Sequence, residues 1–165
     1  MIAAANSNAA HAGKADEGGE YVTVGVGGQM FGLPIDRVHD VFIANAVTEV
    51  PLAPREIVGL LNLRGRVVTA LCLRRRLGLP DRAEGRQEMA VGLEHKGESF
   101  GLMVDAVGEV MRLGADTREA NPVHMDPRWL KLSQGVHRLD GKLLIILDVD
   151  AVLSFEADGT AARAA

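Results

Sequence analysis

Apolar and polar positions along this chain fall into short runs with a period of two, divided by glycine-bearing turns. Val22, Val24 and Val26 alternate with Tyr21, Thr23 and Gly25, then Gly27-Gly28 intervenes and a second run occupies 29–35. Such alternation is the spacing of a strand with one face in a core, and a glycine turn between two such runs marks a hairpin. Arg64-Gly65, Lys96-Gly97 and Asp140-Gly141 punctuate three more pairs, 58–63 with 66–71, 89–94 with 99–104, and 136–139 with 142–147. The runs at 67–71 and 143–147 are almost wholly apolar, which suits strands covered on both faces. Helix is scarce: a turn is expected over 73–77 and another over 148–155, with Asp148 or Asp150 near its N-terminal cap. Pro34, Pro51, Pro54 and Pro122 mark strand ends or connections, because proline cannot donate to a ladder. Residues 79–87 read as a polar loop, and 112–134 as an irregular connection carrying the single Trp129.

The pattern is also written twice. Phe31-Gly32-Leu33-Pro34-Ile35-Asp36-Arg37-Val38-His39-Asp40-Val41-Phe42 returns at an offset of 69 as Phe100-Gly101-Leu102-Met103-Val104-Asp105-Ala106-Val107-Gly108-Glu109-Val110-Met111, with six of twelve positions identical. A second echo, at an offset of 76, links the segment beginning Gly59-Leu60-Leu61-Asn62-Leu63-Arg64-Gly65 to the one beginning Gly135-Val136-His137-Arg138-Leu139-Asp140-Gly141. Internal repetition sets the architecture before any local motif does. Two copies of hairpin, crossing segment and hairpin predict an all-β protein of two small five-stranded barrels, the closed sheets removing exposed edges. The first barrel is expected over roughly 20–78 and the second over 89–147, with a closing helix at 148–155. Residues 1–19 and 156–165 are expected to be disordered or flexible tails, since they are too polar and small to order themselves.

Composition narrows the function classes. The chain has 165 residues, 47% of them hydrophobic and 24% charged, which is ordinary for a soluble protein, and a net charge of −4. Phosphate binding needs clustered positive charge and base stacking needs aromatic residues; the acidic balance and 4% aromatic content disfavour nucleic acid. No run approaches the ~20 apolar residues of a membrane helix, and the N-terminus lacks the basic and apolar regions of a secretion signal. One cysteine, Cys72, excludes an internal disulfide and fits a reducing compartment. The expected location is cytoplasmic.

The search for chemistry returns little. None of the four serines lies in a Gly-x-Ser-x-Gly elbow, and the five histidines show no metal-ligand spacing. Gly25-x-Gly27 leads to Met30 and a strand, not to a helix that would cradle a dinucleotide. Asp36 and Asp105, at equivalent places in the two copies, are expected to close turns by accepting backbone N–H bonds. Arg74-Arg75-Arg76 reads as a solvated helix face, and Cys72 as a buried structural thiol. Arg64, at a hairpin tip, reads equally as a solvated turn residue or as a bidentate anchor for a protein partner. No catalytic residue, metal site or cofactor is expected.

Several stretches resemble the CheW family of chemotaxis adaptors. They are Phe31-Gly32-Leu33-Pro34-Ile35-Asp36 with Val38-His39-Asp40-Val41, then Val50-Pro51-x-x-Pro54, Gly59-x-x-Asn62-Leu63-Arg64-Gly65 and Leu73-Arg74-x-Arg76-Leu77-Gly78. Gly101-Leu102-x-Val104-Asp105-x-Val107-x-Glu109-Val110, and the stretch from Gly135 to Leu147-Asp148, follow in family order, so the resemblance covers roughly 20–155. It implies two SH3-like barrels around a shared core and no enzymatic activity. It further implies an adaptor coupling the cytoplasmic tips of methyl-accepting chemoreceptors to the SH3-like regulatory domain of the histidine kinase CheA. Carried over, Val38, Asp40, Gly59 and Arg64 match receptor-coupling positions, and Gly101, Val107 and Val110 match a second-barrel segment bordering the groove that takes the receptor helix. Thr69 and Cys72 stand where the family commonly has Pro and Asp, and Asp40 where it has Glu. An array governing pili, gliding or gene expression, or a small-ligand sensor using the groove, are the alternatives.

Overall fold

The structure, a computed structural model, describes residues 19–44, 47–63, 65–82 and 88–154. Twelve strands carry it: β1 (Gly19–Val26), β2 (Gln29–Pro34), β3 (Val38–Ala44), β4 (Val47–Thr48), β5 (Ile57–Leu63), β6 (Arg66–Cys72), β7 (Glu88–His95), β8 (Glu98–Val104), β9 (Ala106–Leu113), β10 (Arg118–Glu119), β11 (Ser133–Leu139) and β12 (Lys142–Leu147). Three short helices, α1 (Leu73–Arg76), α2 (Pro127–Leu132) and α3 (Val149–Leu153), complete it. All four expected hairpins form. Both central turn residues have positive φ at Gly27-Gly28, Lys96-Gly97 and Asp140-Gly141, the backbone that matches the twist of the flanking strands.

Four local expectations need correction. Gly19 belongs to β1 and not to a tail. The crossing segments are themselves strands, β3 and β9. Within 112–134 lies α2, whose Asp126 accepts a hydrogen bond from the Arg128 N–H at 2.8 Å and whose first turn begins with Pro127. Helix α3 ends at Leu153, one residue short of Ser154; Phe155 and both tails lie outside the described residues.

The strands form two six-stranded sheets. Sheet 1 runs β10-β11-β12-β2-β1-β9 and sheet 2 runs β3-β7-β8-β6-β5-β4. Each therefore has five strands of six residues or more and a two-residue edge piece, β10 or β4. The fold is all-β, two SH3-like barrels, as expected, but sheet membership does not follow the halves 20–78 and 89–147. Hairpin β1–β2 belongs to the sheet built by β9–β12, and hairpin β7–β8 to the sheet built by β3–β6. The exchange is reciprocal to the residue. β12 pairs in parallel with β2 through Ile145↔Phe31, and β6 with β8 through Thr69↔Phe100, which are the same positions after the offsets of 76 and 69.

Connection length forces this exchange. If β7–β8 stayed with β9–β12 in the arrangement that β1–β2 adopts there, β7 would pair antiparallel to both β8 and β9, so β8 and β9 would run parallel. Parallel strands in one sheet need a crossover of about a dozen residues or more. Only Asp105 separates β8 from β9, and only Ile35–Arg37 separates β2 from β3. The chain instead runs on into the other sheet.

Three cores follow. Leu61, Val68, Ala70, Ala90 and Met103, with Phe42, fill the interior of sheet 2. Tyr21, Leu113, Leu144 and Ile146, with Met111, fill that of sheet 1. Between the sheets lies the largest core, including Val24, Phe31, Leu33, Leu71, Val91, Leu102, Ile145 and Leu147. The apolar run of β12 is thus buried on both faces from Leu144 to Leu147, whereas that of β6 is so only from Ala70 onward, because Val67 is 63% exposed and Thr69 half-buried. Trp129 of α2 lies edge-on to Phe31 at 5.5 Å and donates its indole N–H to the Leu77 carbonyl at 2.9 Å, which fixes α2 over α1.

Candidate functional site

Edge strand β3 carries Val38 and Asp40. A register shift in its ladder with β7 falls between them, where Val38 lies opposite Leu93 and Asp40 opposite Gly92. A bulge of this kind re-aims side chains: Val38 packs on the central core, whereas Phe42 and Ala44 pack into sheet 2. Asp40 lines a small cleft at the mouth of sheet 2 with His39, Phe42, Arg66 and Ser99, and makes no hydrogen bond or ion pair among the described residues. Gly92 leaves the room its carboxylate occupies. On the opposite face of β3, Val41 and Ile43 are 40% and 43% exposed, and Ile35 precedes them at 39%.

The glycines among the expected residues serve the chain itself. Gly59 has φ +156°, and a Cβ there would run into the Thr48 carbonyl of β4. Its equivalent Gly135 has φ +137° and sits against the Glu119 carbonyl of β10. Each lets a two-residue edge strand close onto the sheet. Gly101, expected beside a groove, is buried and faces the interior of sheet 2, where a Cβ would stand 3.3 Å from Phe42 Cζ and 3.5 Å from Leu61 Cδ1. It offers no surface to a partner, because β8 is the third strand of six and covered on both faces.

Val107 and Val110 stand on β9, the edge of sheet 1, so they are not on the sheet that holds Gly101. Val107 packs against the central core, and Val110 is 49% exposed. They are the repeat equivalents of Val38 and Val41. Val38, Asp40, Val107 and Val110 therefore lie on quasi-equivalent edge strands. Arg64 lies outside the described residues.

Sequence reasoning missed two further exposed side chains. Leu52 is fully exposed with φ +65°, and Val123 is 87% exposed. Pro51-Leu52 begins three residues after β4 ends, and Pro122-Val123 three residues after β10 ends, so each barrel presents an aliphatic tip at the same corner. The echo at an offset of 71 was present in the sequence. Beside Val123 an apolar cleft of about 320 Å3 is lined by Pro122, Met125, Trp129 and Ile145, with His124 and Asp126 at its rim.

Ion pairs fasten the two sheets. Arg74 grips Asp105 through both guanidinium arms, Nε to Oδ1 at 2.9 Å and Nη2 to Oδ2 at 2.8 Å, and Asp105 also accepts the Gly27 N–H at 2.9 Å. The Arg74 bond is the main reason the Asp105 carboxyl is held below the usual carboxylate range. At the repeat-related junction the polarity is reversed: Arg37 of the β2–β3 turn pairs with Asp150 of α3 at 2.8 Å. Asp36, by contrast, is exposed and makes no described hydrogen bond; neither aspartate closes its own turn as expected, since the backbone N–H that Asp105 accepts comes from Gly27 in the β1–β2 turn. The arginine run is not a solvated face. Arg75 pairs with Asp81 at 3.0 Å, and Arg76 donates to the Val152 and Ala151 carbonyls at 3.0 and 2.9 Å. Cys72 is buried, and that burial pushes its thiol up, away from reactivity. Among the described residues no cluster of His, Cys, Asp or Glu has metal-site geometry, and no helix is long and apolar enough to cross a membrane.

The described residues present exposed apolar edges and corners, and comparison with known proteins gives them a family context. The profile of the CheW-like domain matches residues 20–157. The chemotaxis protein CheW of Rhizobium meliloti is 25% identical over 139 residues, covering 84% of this chain and 90% of its own. That of Thermotoga maritima is 26% identical over 125 residues, covering 76% and 81%. The crystal structure of the scaffolding protein TtCheW from Thermoanaerobacter tengcongensis superposes with a TM-score of 0.72 at 28% identity, covering 82% of this chain and 92% of that one. The chain belongs to the CheW family of chemotaxis scaffold proteins.

Proposed function

We propose that this protein is a non-catalytic, cytoplasmic adaptor that couples the tips of methyl-accepting chemoreceptors to the histidine kinase CheA. The observation that carries the proposal is the pair of quasi-equivalent edge strands, β3 and β9, each showing a half-exposed valine, Val41 or Val110, in a chain of this family. An amphipathic receptor helix laid on an apolar strip buries its own apolar stripe there, with polar groups such as Asp40 at the rim. The Leu52 and Val123 tips are offered to the SH3-like regulatory domain of the kinase, one tip per barrel. Exposed aliphatic groups at rigid corners suit insertion into a partner's pocket.

The test is co-sedimentation of the full chain with a receptor signalling fragment and with the kinase regulatory domain. Binding to both is expected, and binding to neither overturns the reading. Val110→Glu places a charge on the strip and is expected to weaken receptor binding at least tenfold while leaving kinase binding and thermal unfolding unchanged. Leu52→Glu should do the reverse. Equal loss of both partners in either variant, with unaltered folding, would refute the division of surfaces.

A further inference from the structure

The interiors of the two barrels are matched position by position: Leu144 with Val68, Ile146 with Ala70, Met111 with Phe42, Leu113 with Ala44. At one matched position the chemistry breaks. Sheet 2 has Leu61, and sheet 1 has His137, which is 1% exposed. Its Nδ1 lies 2.8 Å from Thr117 Oγ1, and that hydroxyl reaches the Gly114 carbonyl at 3.4 Å. Its Nε2 is buried and without a hydrogen-bond partner among the described residues.

This geometry selects one protonation state. With Thr117 donating to Gly114, its oxygen accepts from Nδ1–H, and Nε2 carries only a lone pair. A bare acceptor in an apolar interior is tolerable, whereas a second N–H bearing positive charge is costly there. The groups packed around the ring do not offset that charge. Tyr21 of β1 stands 5.9 Å away, ring to ring, and the cross-strand neighbour on β12 is Leu144. Arg118 of β10, directly opposite His137 in the ladder, opposes a proton. Asp116, in the 3-10 turn before β10, favours one but is exposed, and Glu119 is engaged by Arg138 at 2.8 Å.

We propose that His137 makes sheet 1 the acid-labile half of the molecule, so that acidification loosens β10, β11 and β12 while the all-apolar interior of sheet 2 holds. The linkage has a definite sign. The unfolded imidazole takes up a proton below its ordinary value of about 6.5, and the buried one does not, so the folded state loses ground as pH falls below that value. One proton bound only by the open form changes the opening equilibrium about tenfold per pH unit. Surfaces on sheet 1, Val110 and the Val123 corner, are then weakened before Val41 and Leu52 on sheet 2.

The experiment is amide hydrogen exchange on the full chain at pH 7.5 and pH 5.5, corrected for intrinsic rates, in wild type, His137→Leu and His137→Gln. Leucine is what the matched position already holds, and glutamine keeps a polar group without a titration. Wild type is expected to lose about tenfold in protection in β11 and β12 and little in β5 and β6, and neither variant should show the difference. The same pH dependence in wild type and either folded variant overturns the proposal, as does equal loss in both sheets. If neither variant folds, the wild-type imidazole decides by NMR: titration of His137 at the ordinary histidine value refutes the idea, and a neutral Nδ1–H ring persisting at pH 5.5 supports it.

Discussion

At Gly59 backbone conformation and close approach act together. A φ of +156° is barred to any residue with a Cβ, and the Thr48 carbonyl already occupies the space that atom would need. That carbonyl is backbone and cannot swing away as a side chain would. Gly59→Ala is therefore expected to destabilise the fold by roughly 3 kcal/mol, combining left-handed strain with a displaced edge strand. Chemical denaturation of the variant checks it. Gly65→Ala serves as the control: its Cβ would meet nothing within 4 Å, so only the φ penalty of about 1 kcal/mol applies. If Gly59→Ala unfolds like wild type yet loses receptor binding, the glycine is there for a partner after all.

Among elements, the short helices are held by arginines that look interchangeable in sequence and are not. Arg74 and Asp105 are each only 18% exposed and share two hydrogen bonds, whereas Asp81, the partner of Arg75, is 52% exposed. Removing Arg74 takes both short hydrogen bonds from a mostly buried carboxylate and leaves it only the Gly27 N–H and Arg82 at 3.6 Å, so Arg74→Ala should cost about 2 kcal/mol. That is about 4–8 °C in Tm for a chain of this length. Arg75→Ala should fall within about 0.5 kcal/mol of wild type. Because Asp105 is held below its ordinary carboxylate value of about 3.9, its contribution is fully present above that pH and disappears as acid drives it through the lower folded value. Arg74→Ala should accordingly flatten the acid limb of the unfolding curve, which a pH series of melts will read.

Legibility at this scale followed periodicity. The hairpins were readable because alternation and a positive-φ turn coincide, as at Val22 to Gly28. Strands β3 and β9 were not. They are edges, and β3 places Val41 and Ile43 on one face and Phe42 on the other, so no alternation of polarity announces them. Helix α2 was signalled only by Asp126-Pro127, a cap in a six-residue element too short to show a period. The candidate site divides similarly. Val38, Asp40, Val107 and Val110 came from resemblance and do sit on edge strands. Gly101 came from the same resemblance, and its burial within β8 is not visible in the sequence.

For the whole molecule, the repeat was legible and the exchange of hairpins was not, because a repeat period says nothing about which copy a strand joins. The exchange has a consequence that separate barrels would not have. Sheet 1 needs β1 and β2 from before residue 82, and sheet 2 needs β7 and β8 from residue 88 onward. A half cannot substitute its own hairpin, since the single residue Asp105 cannot return the chain along the length of β9. Fragments 1–82 and 88–165, made separately, are therefore each expected to lack a folded monomer by circular dichroism and amide dispersion. Mixed in equal amounts they should assemble one-to-one with native dispersion, because every ladder except the covalent link is restored. Either fragment can reach the same geometry with a second copy of itself only as a dimer, its hairpin crossing to its twin, which sedimentation would reveal. A cooperative melt from a strictly monomeric fragment would show that each half closes alone, and would return the barrels to their own segments of the chain.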